Sequence, residues 1–411
     1  MKALYICHQY WPFLCGSGIF FQEMAERLVR EGHEASVYTT DALHFERFIS
    51  RKGKCAGKLR ESRNGVSIRR FRLRHLPSYN TVSWRLRRLP LPIAPHIFST
   101  GFLPGMALEC FKRHSFDLVH GGLVPYGMPL YLAYRIAKKE GVPLIYSPFV
   151  HIGEPQDDQV LKIHTDPEQI RLLSEADGVI CQTTIEAESL SRLGVHRERI
   201  EVIGMGVNPD DLPGGDGDRF RKKHGIEGSI LFSVAPKVYD KGTQHSVRAL
   251  ERLLQQGYDV SLVLAGPTFD NFGAFYKKLS QPIRERLILI ERIEGEEKKD
   301  LFSAGDIMVM PSRNESFGMV YLEAWSCGIP VVGALAGGVP EVIEDGKDGI
   351  LVPFGDSETL AKRLENLLDN TELRDKMGRI GREKVLAKYT WDIQYNKLKE
   401  LYVRLGCDIN L

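Results

Sequence analysis

Paired cysteines are what this chain most plainly lacks. Its seven (Cys7, Cys15, Cys55, Cys110, Cys181, Cys327 and Cys407) are odd in number, scattered and never spaced as C-x-x-C, which argues against a disulfide framework and a zinc site. Long apolar runs are missing too. Nothing approaches the roughly 18 residues that a membrane-spanning helix needs, and the opening MKALYICHQYWPF reaches His8 before a signal-peptide core can form. Charge of one sign is not in excess, since 55 Lys and Arg against 53 Asp and Glu leave a net +2. Global charge therefore gives no reason to expect nucleic acid as a partner. No Ser/His/Asp order, H-E-x-x-H or Walker lysine loop is present, so hydrolase, zincin and P-loop readings have no anchor. The expectation is a cytoplasmic globular protein.

What is present is alternation. With 411 residues the chain is too long for a single core, and short apolar runs alternate with amphipathic helical stretches, the pattern of βαβ units around parallel sheets. ALYIC, EASVYT, DLVH, VPLIYS and GVICQ read as a first series of strands. IFFQEMAERLVREG reads as a helix with apolar Phe20, Met24 and Leu28 and a stop at Gly32. The Pro-, Gly- and Asp-rich stretch NPDDLPGGDGDRF reads as a linker. A second series follows, SILFSVA, VSLVLAG, LILI, DIMVMP, IPVVG and GILVP. The final TWDIQYNKLKELYVRLG spaces Trp391, Tyr395, Leu398 and Tyr402 as a helix with no strand after it. The fold class expected is α/β, two doubly wound Rossmann-like domains facing across a cleft: 1–207 joined by a returning helix 390–411, a linker 208–228, and 229–389. Ligands of such sheets bind just beyond the carboxyl ends of strands.

The most informative stretch is NESFGMVYLEAWSCGIPVV, which follows the strand DIMVMP. Ser316, Phe317 and Gly318 lead into a helix predicted from about Met319 to Cys327, whose first amides, at Met319 and Val320, and positive dipole end favour an anion such as a diphosphate. Glu323 inside that helix can accept from two neighbouring ribose hydroxyls, and Glu315 in the loop from sugar hydroxyls beyond the phosphates. The spacing suits a nucleoside diphosphate with a sugar at each end. The alternative is an exposed Glu315 and a Glu323 paired with a lysine. SVAPKVYDKGTQHS sets Lys241 and Gly242 at the next helix start, where a lysine adds a mobile charge for phosphate oxygens, and Lys237 can add a second; surface lysines beside a glycine turn are the plainer reading. Gly16 and Gly18 fall in the first strand-to-helix loop without the full G-x-G-x-x-G spacing. His120 ends the strand FDLVH before two glycines, and His151 holds the analogous place after VPLIYSPFV; each either projects into the cleft or is a satisfied structural residue. Asp216 and Asp218 form a D-x-D pair but lie in the linker rather than after a strand, so no metal site is expected. The basic, aromatic-interleaved residues 69–90 are a candidate contact with an anionic membrane or acceptor, or else a solvated loop and edge strand.

The run from Asp306 to Pro353, containing PSRNESFGMVYLEAWSCGIPVVGALAGGVPEVIEDGKDGILVP, resembles the nucleotide-sugar domain of the retaining glycosyltransferases of family 4. GSGIFFQEMAERLVREGHEASVYT, FDLVHGG and RIEVIGMGVN extend the likeness over most of the chain. The resemblance implies a two-domain GT-B fold, a donor nucleotide sugar held mainly by the second domain, a sugar or lipid-linked acceptor held by the first, and neither metal nor cofactor. Position by position it implies Glu315 on the donor sugar, Glu323 on the ribose, Ser316 to Val320 on sugar and diphosphate, and Lys241 on diphosphate. Gly16 to Gly18 would close over the phosphates, His120 would lie near the reacting carbon, and Ile293 and Gly295 would lie in the loop that meets the base. His151 stands on the acceptor side. Two departures stand out: Ala235-Pro236-Lys237 where many members have G-R-L, leaving Lys237 as the candidate replacement cation, and Gly204-Met205-Gly206 where an asparagine-glycine pair is usual. The rival expectations are a GT-B epimerase or phosphorylase and a non-catalytic nucleotide-sugar-binding protein.

Overall fold

In the computed structural model the described residues are 1–12, 15–43, 46–49, 53–75, 102–154 and 159–409; most of the basic stretch 69–90 therefore lies outside them. The chain divides into two compact units. Unit 1 comprises Met1–Val150, Leu161–Gly204 and Gln394–Leu411, and unit 2 comprises His151–Val160 and Met205–Ile393.

Among the described residues unit 1 is built on eight strands, β1 (Lys2–Ile6), β2 (Glu34–Thr40), β3 (Arg60–Arg63), β4 (Val66–Phe71), β5 (Leu118–Gly121), β6 (Leu144–Tyr146), β7 (Gly178–Cys181) and β8 (Ile200–Val202), in the order β3-β4-β2-β1-β5-β6-β7-β8. Among these strands only the β3–β4 pair, at the edge, is antiparallel. The central strands are continuous apolar runs because both faces are covered: Leu4, Tyr5, Ile6, Leu118 and Val119 have no exposed surface. Helix α1 (Gly16–Arg30) buries Phe20, Phe21, Met24 and Leu28, and α2 (Gly127–Glu140) stops at Gly141 in the left-handed region, φ 68°.

Unit 2 carries a six-stranded parallel sheet, β9 (Ser229–Val234), β10 (Val260–Ala265), β11 (Leu287–Ile290), β12 (Ile307–Val309), β13 (Val331–Ala334) and β14 (Gly349–Val352), in the order β11-β10-β9-β12-β13-β14. The order reverses between β9 and β12, which makes their carboxyl ends the topological switch point. Its principal helices are α3 (Gly217–His224), α4 (Thr243–Gln255), α5 (Gly295–Ala304) and α6 (Met319–Ser326). The expected linker 208–228 contains the eight-residue helix α3. Asp216 Oδ1 accepts from the Arg219 amide and caps α3, while Arg219 and the Asp216 amide bind the Asp300 carboxylate on α5 at 2.6–2.7 Å.

The last helix, α7 (Trp391–Arg404), starts in unit 2 and from Gln394 onward belongs to unit 1. Tyr395 and Lys399 bind the Glu31 carboxylate at 2.9 Å each, and Leu398 and Tyr402 are fully buried. Among the described residues no helix is long and apolar enough to cross a membrane.

Candidate active site

The turn after β9 and the loop after β12 meet at the switch point of unit 2, and their backbones are tied together. Asp240 O accepts from the Arg313 amide and from Ser312 Oγ, both at 3.0 Å, and the Arg313 guanidinium binds Asp240 Oδ1 at 2.8–2.9 Å. Gly242, at φ 72°, lies so close to Pro311 that a β-carbon would strike that residue's carbonyl oxygen; only glycine fits both demands. Lys241, just before it, donates to Asn314 O at 3.2 Å and forms an ion pair with Glu315. Two residues 74 positions apart are thus side by side, about one-fifth exposed.

Glu315 is fixed from behind by a double glycine. Its carbonyl accepts from the Gly338 amide at 2.9 Å, and Gly337, φ 58°, packs against the same oxygen, leaving no room for a β-carbon. Gly337 in turn donates to Gly153 O at 2.6 Å, and Arg313 meets Glu154 at 3.6 Å. Gly318 takes φ 92° and starts α6. Phe317 packs edge-on against Tyr389, ring centres 5.5 Å apart, while Ser316, Met319 and Val320 are half-buried. The amides at this helix start and at the start of α4 lack intrahelical acceptors, and both helix dipoles present a positive end. A ligand that joins phosphate oxygens to hydroxyls can take the Lys241 ammonium and the Glu315 carboxylate together.

Glu323 is paired, as its plainer reading supposed, but with a lysine from another helix: Lys298 on α5 binds Oε1 at 2.7 Å. The other oxygen, Oε2, is buried with no hydrogen-bond partner, so it retains full capacity to accept from a ligand hydroxyl. Ile293 precedes α5, half-buried, and Gly295 is its first residue at φ 57°.

Several expected site residues have other surroundings. The Lys237 side chain is 1% exposed. Its ammonium donates to the carbonyl oxygens of Gly266 and of Ile290 (2.9 Å), and Glu291 lies at 3.6 Å. Burial lowers its pKa. Held inward by these two carbonyls, it is not a mobile phosphate cation. His120 is completely buried in the middle of the sheet. Tyr402 OH lies 3.1 Å from Nδ1 and Ser147 Oγ 2.9 Å from Nε2, and burial pushes the imidazole pKa down to about 3. It is a satisfied structural histidine rather than one projecting from a strand end. Gly16 and Gly18 lie in the first turn of α1 itself and not in a preceding loop, and neither takes positive φ. His151 lies half-buried in the segment that belongs to unit 2 rather than unit 1.

Sequence reasoning gave no role to Lys298, Arg313 or the Gly337-Gly338 pair. The double glycine between a strand and a short helix was the available signal; the lysine and arginine carried none, because their partners are distant in sequence.

Two family models match the chain in succession, a glycosyl transferase 4-like domain over residues 16–206 and glycosyl transferases group 1 over residues 216–384. A D-inositol 3-phosphate glycosyltransferase of Saccharomonospora viridis is 27% identical over 77% of this chain and 76% of its own. An N-acetyl-alpha-D-glucosaminyl L-malate synthase of Bacillus anthracis is 24% identical over 95% and 94%. Among solved structures, HepE of Anabaena, in complex with UDP-glucose, superposes with a TM-score of 0.73 at 18% identity over 98% of this chain and all of its own. Its match, over both parallel-sheet units, is to a GT-B architecture. The two family models, which together run from residue 16 to 384, show that this chain belongs to the group 1, type 4-like glycosyltransferases.

Proposed function

We propose that this glycosyltransferase is a retaining, family 4 enzyme that moves a hexose-type sugar from a nucleoside diphosphate to a sugar or lipid-linked acceptor in the cytoplasm, without a metal. The observation that carries the reading is the Lys241–Glu315 pair at the switch point, between two helix starts. In this reading the diphosphate takes Lys241 and the amides of Ser316 to Val320. The donor sugar takes Glu315, the ribose takes the unpartnered Oε2 of Glu323, and the base lies near Ile293 and Gly295. The relative solved with UDP-glucose makes UDP-sugars the first donors to try.

The chemistry asks little covalent work of the protein. The bond between the anomeric carbon and the phosphate oxygen breaks, the acceptor oxygen bonds to the same face, and the acceptor proton passes to an oxygen of the departing diphosphate. Charge builds on that diphosphate, and the ammonium and helix dipoles stabilise it where they already stand.

A panel of UDP-, GDP- and ADP-sugars, followed by thermal unfolding, tests the donor half; a ligand at a hundred times its Kd adds about 2.7 kcal/mol. A shift for one nucleotide that vanishes in Lys241→Ala is expected. In product assays, Lys241→Ala and Glu315→Ala each lower transfer at least about a hundredfold, the scale of losing a key electrostatic contact; near-normal turnover in both would sink the assignment. Pro236 at the usual arginine position, with the Lys237 ammonium held by carbonyls, favours a second reading, a nucleotide-sugar-binding protein without turnover. Binding without transfer across a broad acceptor panel would select it, and conversion of the donor alone would point instead to an epimerase.

A further inference from the structure

The Lys237 ammonium sits beneath the ends of three neighbouring strands. Its own turn follows β9. Gly266, whose carbonyl it binds, directly follows β10, and Ile290, whose carbonyl it binds at 2.9 Å, is the last residue of β11. The same three ends are linked by backbone bonds: Ala235 N to Ala265 O at 2.9 Å, Lys237 N to Pro267 O at 2.8 Å and Gly266 N to Ile290 O at 2.8 Å. Glu291 closes the outside, accepting from the Thr268 amide at 3.0 Å and from its hydroxyl while lying 3.6 Å from the Lys237 ammonium. Ile290 and Glu291 lead within five residues to Gly295 and α5. On that helix Lys298 holds Glu323, next to the free carboxylate oxygen.

Resting on the donor reading above, we propose that Lys237 is a positioning residue that fixes turn 290–295 for the nucleobase and so sets base selectivity, without touching the diphosphate. An apolar side chain at this position would leave the Gly266 and Ile290 carbonyls without this donor. The Ile290 carbonyl would keep the Gly266 amide, but the cross-link that ties the three turns through one ammonium would be lost, freeing the strand ends to separate. A turn that reads a base through its backbone must hold its amides and carbonyls within a fraction of an ångström, whereas Lys241 reaches Asn314 and Glu315 after β12, the neighbour of β9 opposite β10.

The test uses the full chain and titrations of UDP, GDP, ADP and inorganic pyrophosphate, read by thermal shift and calorimetry. In Lys237→Met, which keeps length and apolar bulk, the preferred nucleotide is expected to lose about tenfold or more in affinity. The disfavoured ones lose less, so discrimination narrows, and pyrophosphate stays within about twofold. Glu291→Gln, an exposed change that leaves the core intact, is expected to move the same ratio in the same direction by a smaller factor. A parallel fall for pyrophosphate would overturn the proposal by making Lys237 a phosphate group ligand. Unchanged nucleotide ratios in both variants, with only a lower Tm, would overturn it by reducing Lys237 to packing. If the unaltered protein binds none of the four probes, the donor reading itself fails, and this proposal with it.

Discussion

His120 shows how a residue type that suggests chemistry can instead be bound into a core. With no exposed surface and both ring nitrogens engaged, it stays neutral in the folded protein, its pKa near 3 instead of 6.5. The unfolded chain binds its proton as pH falls below 6.5 while the folded chain does not, so stability is lost on acidification from that point downward. From pH 7.5 to 5.0 this one imidazole withdraws about 2 kcal/mol, the slope approaching about 1.36 kcal/mol per unit below pH 6.5. His120→Asn should start less stable at pH 7.5, yet lose about 2 kcal/mol less than the unaltered protein by pH 5.0 in urea titrations; equal losses would refute the assignment. His8, also buried and held near pKa 3, contributes the same sign to both proteins. The sequence left His120 open between two readings because a strand-end histidine beside glycines looks alike whether the ring turns outward or toward Tyr402, a residue 282 positions away. Lys237 escaped for a related reason: nothing local says that two carbonyls lie within reach of its ammonium. Glu315 and Lys241 were legible because each directly flanks a glycine turn after a strand, and the structure brings them into contact.

Elements were easier to read than side chains. The helix expected from Met319 to Cys327 spans Met319–Ser326, since Gly318 in the left-handed region starts it and Gly328 follows its end at φ 73°. Residues 208–228 read as linker because Pro, Gly and Asp mark loops, but the same Asp216 is a helix cap, and composition does not distinguish the two. The β3–β4 hairpin was missed as a pair because RESR and VSIRRF are short and charged, which suits an exposed edge. Gly242 provides the sharpest element-level test. Gly242→Ala must both hold an alanine in the left-handed region and open the turn from Pro311, so a loss of at least about 2 kcal/mol in urea unfolding is expected. The nucleotide-induced thermal shift should fall with it, since the turn carries Lys241. An alanine variant of normal stability would mean that the two turns are not closed upon each other.

At the scale of the whole chain, two parallel-sheet units were legible from strand and helix alternation alone, as was a terminal helix. What alternation did not reveal is that His151–Val160 leaves unit 1 to join unit 2, since no compositional break marks the crossing. Removal of Gln394–Leu411 takes Leu398, Leu401 and Tyr402 out of unit 1 while leaving the unit 2 sheet and its switch point complete. A chain cut after Ile393 is expected to lose the cooperative unfolding of unit 1, measured by proteolysis at Lys and Arg sites within it, and to keep nucleotide binding. Loss of both together would show that the units are not separable in stability. The same arrangement governs the order of assembly during synthesis. Tyr5 and His120 emerge early, but the hydroxyl that caps both belongs to Tyr402, so the half of the protein made first is finished last. Until α7 arrives, the nascent chain must carry a finished sheet with part of its core uncovered, and that interval is when a chaperone would have most to shield.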